Sequence, residues 1–155
     1  MSAIAIHADA ESAAPADQVF AVLTDWPRHA EWMPFTRAEG GHEVGAELVG
    51  WTGIGPVGFS DTMVITGWRP GRRVTVRHTG RLVRGEAFFD VAPLPGGGSR
   101  IRWAERLDLP FGPLGRAGWL AAGPVVQGLM TLGLRRLARI PEAEAADRVA
   151  GMSPA

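Results

Sequence analysis

PLGRAGWLAAGPVVQGLMTLGLRRLARI, residues Pro113 to Ile140, decides how the rest of this chain must fold. Counted from Pro124 at helical spacing, Val126, Met130, Gly133, Leu137 and Ile140 fall along one line. Leu129 and Leu134 flank that line, while Gly128, Thr131, Arg135 and Arg139 lie opposite. This is the apolar stripe of an amphipathic helix. Pro124 suits a first helical turn, where its missing N–H costs nothing. The expectation is a short helix over about 113–122, a break at Gly123, and then a long helix. A helix with one apolar side needs a surface to lie against.

The chain upstream reads as that surface. Ile4 to Ser12 alternates like a first strand, and Ala14-Pro15-Ala16-Asp17 then opens a helix with Val19, Phe20, Val22 and Leu23 on its apolar side. Asp25-Trp26-Pro27 ends it, and a second short helix runs to Met33 and stops at Pro34. Six strands follow, near 35–40, 46–54, 57–68, 73–80, 82–92 and 100–109. Turn signals at Gly40-Gly41, Gly55-Pro56, Arg69-Pro70-Gly71, Gly80-Arg81 and Pro95-Gly96-Gly97-Gly98 separate them. Connections this short imply an antiparallel meander. The expected class is α+β: a curved antiparallel sheet of about seven strands around a long C-terminal helix, with two short helices after the first strand. At 155 residues it is one domain with its core at about 4–140, and a tail at 141–155 that either extends the long helix or frays from it.

Composition excludes several chemistries. All 16 basic residues are arginine, and lysine, cysteine and tyrosine are absent. No Schiff-base lysine, thiolate nucleophile, phenolic acid, disulfide or thiolate metal site can therefore form. Formal charge balances to zero, so no field draws the chain to nucleic acid. The histidines at 7, 29, 42 and 78 lack metal-ligand spacing, so neither a metal nor a cofactor is expected. Gly53-Ile54-Gly55-Pro56-Val57-Gly58 spells G-x-G-x-x-G, but strand residues follow it where a helix should start, so it reads as a hairpin. The N-terminus lacks the pattern of a signal peptide, and a cytoplasmic setting is the expectation. Ala117 to Leu134 carries no charge over 18 residues, but four glycines, Pro124, Gln127 and Thr131 dilute it. It reads as a buried helix rather than a membrane span, with peripheral membrane contact left open.

Several stretches together resemble the START-like, or helix-grip, superfamily. They are PADQVFAVLTDW (15–26), EWMP (31–34), GWRPGRRV (67–74), FDVAPL (89–94) and GGSRIRW (97–103). That superfamily includes polyketide cyclases, lipid-transfer domains and the plant pollen-allergen fold. The resemblance spans about 4–140 and implies an apolar small molecule held between sheet and helix. It marks a fold and no particular reaction.

Strand alternation then sorts the candidate residues. Ile101, Trp103, Glu105 and Leu107 share one face of the last strand, and Arg100, Arg102, Arg106 and Asp108 the other. Val74, Val76 and His78 align on the fifth strand, and Phe59, Asp61, Met63 and Ile65 on the fourth. Phe89 and Val91 point inward on the sixth. Glycines at 118, 123, 128 and 133 thin the helix, which predicts a continuous cavity beneath it. The inward polar set is Asp61, His78 and Glu105, the candidates for acid/base work or for anchoring a ligand. The structural alternative pairs Glu105 with Arg77 or Arg84 and lets His78 cap a strand end. Candidate lining residues are Trp32, Phe59, Met63, Val76, Phe89, Trp103, Trp119, Val126 and Met130, with Trp32 and Trp119 beside the cavity mouth. Three functions compete: binding of a lipid or polycyclic metabolite, a polyketide aromatase or cyclase, and a module that docks on a membrane or protein through 110–123. Oligomeric state stays open.

Overall fold

A computed structural model describes residues 2–152. Strand β1 (Ser2–Ser12) leads into α1 (Ala16–Leu23), a single 3-10 turn (Trp26–Arg28) and α2 (His29–Trp32). Strands β2 (Thr36–Gly40), β3 (Glu47–Ile54), β4 (Val57–Arg69), β5 (Arg73–Thr79), β6 (Arg84–Pro93) and β7 (Ser99–Leu109) follow. Helix α3 (Gly112–Gly151) closes the chain. The seven strands form one antiparallel sheet in the order β1-β7-β6-β5-β4-β3-β2. Consecutive strands pair from β2 to β7, as the short turns require. The G-x-G-x-x-G words are the β3–β4 hairpin, with Gly53 opposite Gly58 and Ile54 opposite Val57.

Alternation decides which side of the sheet is covered. Ile101 and Trp103 on β7, Val74, Val76 and His78 on β5, and Ala87 and Val91 on β6 are buried, while their outward neighbours carry the arginines. Helices α1 and α2 add Val19, Phe20, Val22, Leu23 and Trp32 to the same core. Trp26 donates from Nε1 to the Gly41 carbonyl at 2.8 Å and stacks on His42, tying the short helices to the turn that precedes β3.

Helix α3 departs from expectation in its continuity and in its buried side, and takes one of two expected courses after 140. It is one continuous helix of 40 residues, with Pro124 and Pro141 inside it and no break at Gly123. Pro124 is exposed, so the carbonyl it leaves without an intrahelical partner lies on the solvent side. After 140 the helix extends rather than frays. Pro141 is buried, Glu142 accepts hydrogen bonds from Ser12 Oγ (3.2 Å) and the Ala13 N–H (2.7 Å), and Glu144 pairs with Arg28 at 2.6 Å. Residues 153–155, the last of the expected tail, lie outside the described residues. Finally, the buried side is rotated from the expected line. It holds Met130, Gly133, Leu134, Leu137, Ala138 and Pro141, while Val126 and Ile140 are only partly covered.

Candidate functional site

The inward polar set sits on β4, β5 and β7, with β6 between the last two. Asp61 on β4 accepts from His78 Nδ1 on β5, with 2.8 Å to one carboxylate oxygen and 3.0 Å to the other. His78 is only 7% exposed, and its Nε2 is buried without a partner. A proton on Nδ1, as the Asp61 contact requires, leaves Nε2 as the nitrogen available to a third group. Burial opposes the charged imidazole, but the Asp61 hydrogen bond and the charges of Asp61 and Glu105 outweigh it, so the His78 pKa is raised.

Glu105 lies two strands away on β7. Register places Val76, Ala87 and Glu105 in one row across β5, β6 and β7, and His78, Gly85 and Leu107 in the next. Strand β6 therefore puts only Gly85 and Ala87 between histidine and glutamate. A Cβ at Gly85 would run into the Arg106 carbonyl oxygen, and its φ of 130° lies in a region that suits glycine alone. The Glu105 carboxylate accepts from Trp103 Nε1 at 2.8 Å. Burial raises its pKa, against the lowering influence of His78 and the Trp103 hydrogen bond.

The expected arginine partner is not the one Glu105 has. Arg77 alternates to the outer side of β5 and is exposed, and exposed Arg84 donates to the Gly80 carbonyl at 3.3 Å. His78 likewise does not cap a strand end. It belongs to a buried ion-pairing group with a free nitrogen.

Aromatic rings pack beside this group. Phe89 stacks on Trp103 at 4.8 Å between centroids, and Trp32 meets both edge-on, at 6.0 and 6.4 Å. Val76 is buried, Met63 is partly covered, and Phe59 is 39% exposed towards the open end of β4. Met130 is buried in the core, and Val126 packs at its margin. Trp32 does not sit at a mouth, as the sequence suggests; it is fully buried. Trp119 does line an opening, between β1 and α3.

The expected continuous chamber also needs correction. A concavity of about 360 Å³ lies among Ala5, Ile6, Trp119, Gly123, Pro124 and Gln127. A larger one, about 520 Å³, reaches Glu105 but is lined mainly by outer-face residues such as His7, Arg73, Phe88, Arg102 and Arg106. Neither holds Asp61 or His78. The glycines explain the difference. Gly118 and Gly128 face open space, so they thin the outside of the helix. At Gly123 the Trp119 indole takes up the room, and at Gly133 Met33 Sδ stands 3.0 Å from where a Cβ would be.

Sequence reading passed over His29. It lies one turn before Trp32 in α2, and its ring sits 4.3 Å from the indole. That spacing of three on a helix was the available signal. Its Nδ1 is buried without a partner, and burial lowers its pKa to about 4. The folded protein thus resists protonation that the unfolded chain accepts near 6.5. Stability from a neutral His29 is complete above 6.5 and lost as pH falls towards 4, by about 3 kcal/mol over the window. His78 and Glu105 work in the opposite sense, since each holds its proton more tightly when folded. Urea unfolding of His29→Gln beside the parent, between pH 6.5 and 4, should show a flatter acid limb for the variant. Equal losses in both would place the acid sensitivity elsewhere.

Comparison with known proteins sets this geometry in context. The family described as Polyketide cyclase / dehydrase and lipid transport matches residues 3–142. No curated protein matches by sequence. Among solved structures, the Zhui aromatase/cyclase of Streptomyces sp. R1128 superposes with a TM-score of 0.76 at 16% identity, over 93% of this chain and 96% of that one. Protein TTHA0849 of Thermus thermophilus gives 0.73 at 14% identity, over 91% and 99%. SA2116 of Staphylococcus aureus, a protein of unknown function, gives 0.74 at 9% identity, over 94% and 97%. At these identities the likeness is one of fold.

Proposed function

Because the chain belongs to the polyketide cyclase/dehydrase and lipid transport family, we propose that it binds an apolar small molecule with a polar edge, of the polycyclic or polyketide type. The molecule inserts at the inner face of the sheet beside α3, where packed side chains part to admit it, in a cytoplasmic setting. Phe89 and Trp103 meet its apolar body, and His78 Nε2 and Glu105 meet its oxygen atoms. One observation carries this reading: a buried His78 held by Asp61 keeps a free Nε2 near a carboxyl group that no arginine neutralises. Buried polar atoms ordinarily find partners, and a ligand oxygen satisfies this one.

The same observation favours a second reading, an aromatase or cyclase. A carboxyl group whose pKa burial raises holds its proton more tightly, and a histidine oriented by aspartate can accept one. Abstraction of a proton next to a ketone by His78 Nε2, with proton delivery to the ketone oxygen by Glu105, gives the enol that ring closure requires.

Tryptophan fluorescence titrated with a hydroxyanthraquinone tests both readings. Saturable quenching in the parent, weakened tenfold or more by His78→Phe, supports binding at this face. Quenching that His78→Phe leaves unchanged would remove the site from it. Glu105→Gln keeps shape and loses charge. If it binds as the parent does but loses turnover of a poly-β-ketone substrate, catalysis is supported; unchanged turnover rules that reading out.

A further inference from the structure

We propose that the outward side of α3 docks on an anionic lipid bilayer. The helix buries one side against the domain and leaves the other to solvent, as a surface helix should. The exposed side should then be polar, and over its first half it is not. At helical spacing Leu114, Ala121, Val125 and Leu132 form one outward line, about 27 Å long at the usual helical rise. Leu114 is 75% exposed, Val125 62% and Leu132 41%. Phe111 (75%) stands at the head of the helix. Single exposed apolar residues need no explanation, but a contiguous run of this length does.

Charge selects the occupant. The outward line continues directly into Arg135, Arg136 and Arg139, all exposed. Between Asp108 and Glu142 there is no carboxylate at all. An apolar ridge with arginines along it matches a helix lying in the interface of an anionic membrane. A second copy fits less well, because the ridge and its arginines, Leu114 to Arg139, offer no acidic group to meet the partner's arginines across a two-fold axis. Docking places the helix that flanks the ligand face against a reservoir of apolar molecules, yet the inference does not depend on the ligand reading.

Co-sedimentation of the full chain tests it, using vesicles of phosphatidylcholine alone and vesicles with about one third phosphatidylglycerol, at low salt. The parent should bind the anionic vesicles and leave the neutral ones. Leu114→Asp with Val125→Asp should abolish binding, and Arg135→Gln, Arg136→Gln and Arg139→Gln together should weaken it roughly a hundredfold, since each basic group near such a surface contributes about fivefold. All five side chains are exposed, so circular dichroism should show both variants folded. Binding to neither vesicle, equal binding to both, or binding that neither variant weakens would overturn the proposal. So would a dimer that Val125→Asp dissociates in the absence of vesicle binding, which would assign the ridge to a second copy.

Discussion

Replacing Trp32 with alanine should destabilise the protein by about 3–5 kcal/mol, the range for deleting a large aromatic from a packed core. Trp32 is fully buried and joins three parts of the fold. It lies edge-on to Phe89 of β6 and Trp103 of β7, and Gly133 of α3 leaves room for it, with its ring 3.7 Å from where a Cβ would stand. For a domain of this size the loss corresponds to roughly 6–20 °C in Tm. Trp32→Phe should cost much less, because it keeps most of the ring and discards an Nε1–H that is buried without a partner. Chemical denaturation of the three proteins decides it. A loss below about 1 kcal/mol for alanine would mean that the core does not pivot on this residue.

Gly85→Ala should be the other severe substitution, at about 4 kcal/mol or more. Two costs combine there. The backbone φ of 130° is one that alanine scarcely adopts, and the new methyl would meet the Arg106 carbonyl within the β6–β7 ladder. Relief requires the strands to part in the row that holds His78 and Leu107. Amide exchange in β6 and β7 should accelerate before that in β3 and β4. An alanine variant as stable as the parent, with unchanged exchange, would show that the glycine is not required by the backbone.

The sheet was legible in the sequence for local reasons. Period-two alternation runs cleanly through Ile101 to Leu107 and Val74 to His78, and glycine–proline turns mark the strand ends. Those features lie within a few residues of one another, so no tertiary knowledge is needed to read them. The helix was harder because its apolar residues cover nearly its whole circumference. A wheel reports where apolar residues cluster, not which of them the sheet covers, so Val126 and Ile140 joined the expected line although both are only partly covered. Pro124 misled in the same local way, since an exposed proline can be carried within a long helix. The convergence of Asp61, His78 and Glu105 followed from alternation, but their pairing did not. Which groups touch depended on the bare strand between them, where Gly85 and Ala87 let His78 and Glu105 influence each other, and on Arg77 turning outward.

The central claim is that His78 Nε2, held in place by Asp61, is the atom that meets a bound ligand. Nitrogen NMR of the protein labelled at histidine reads this atom directly while a hydroxyanthraquinone is added. The Nε2 resonance of His78 should move with the same saturation curve as the tryptophan quenching, and those of exposed His7 and His42 should stay in place. A ligand that saturates the fluorescence change while the His78 resonances stand still would contradict the account.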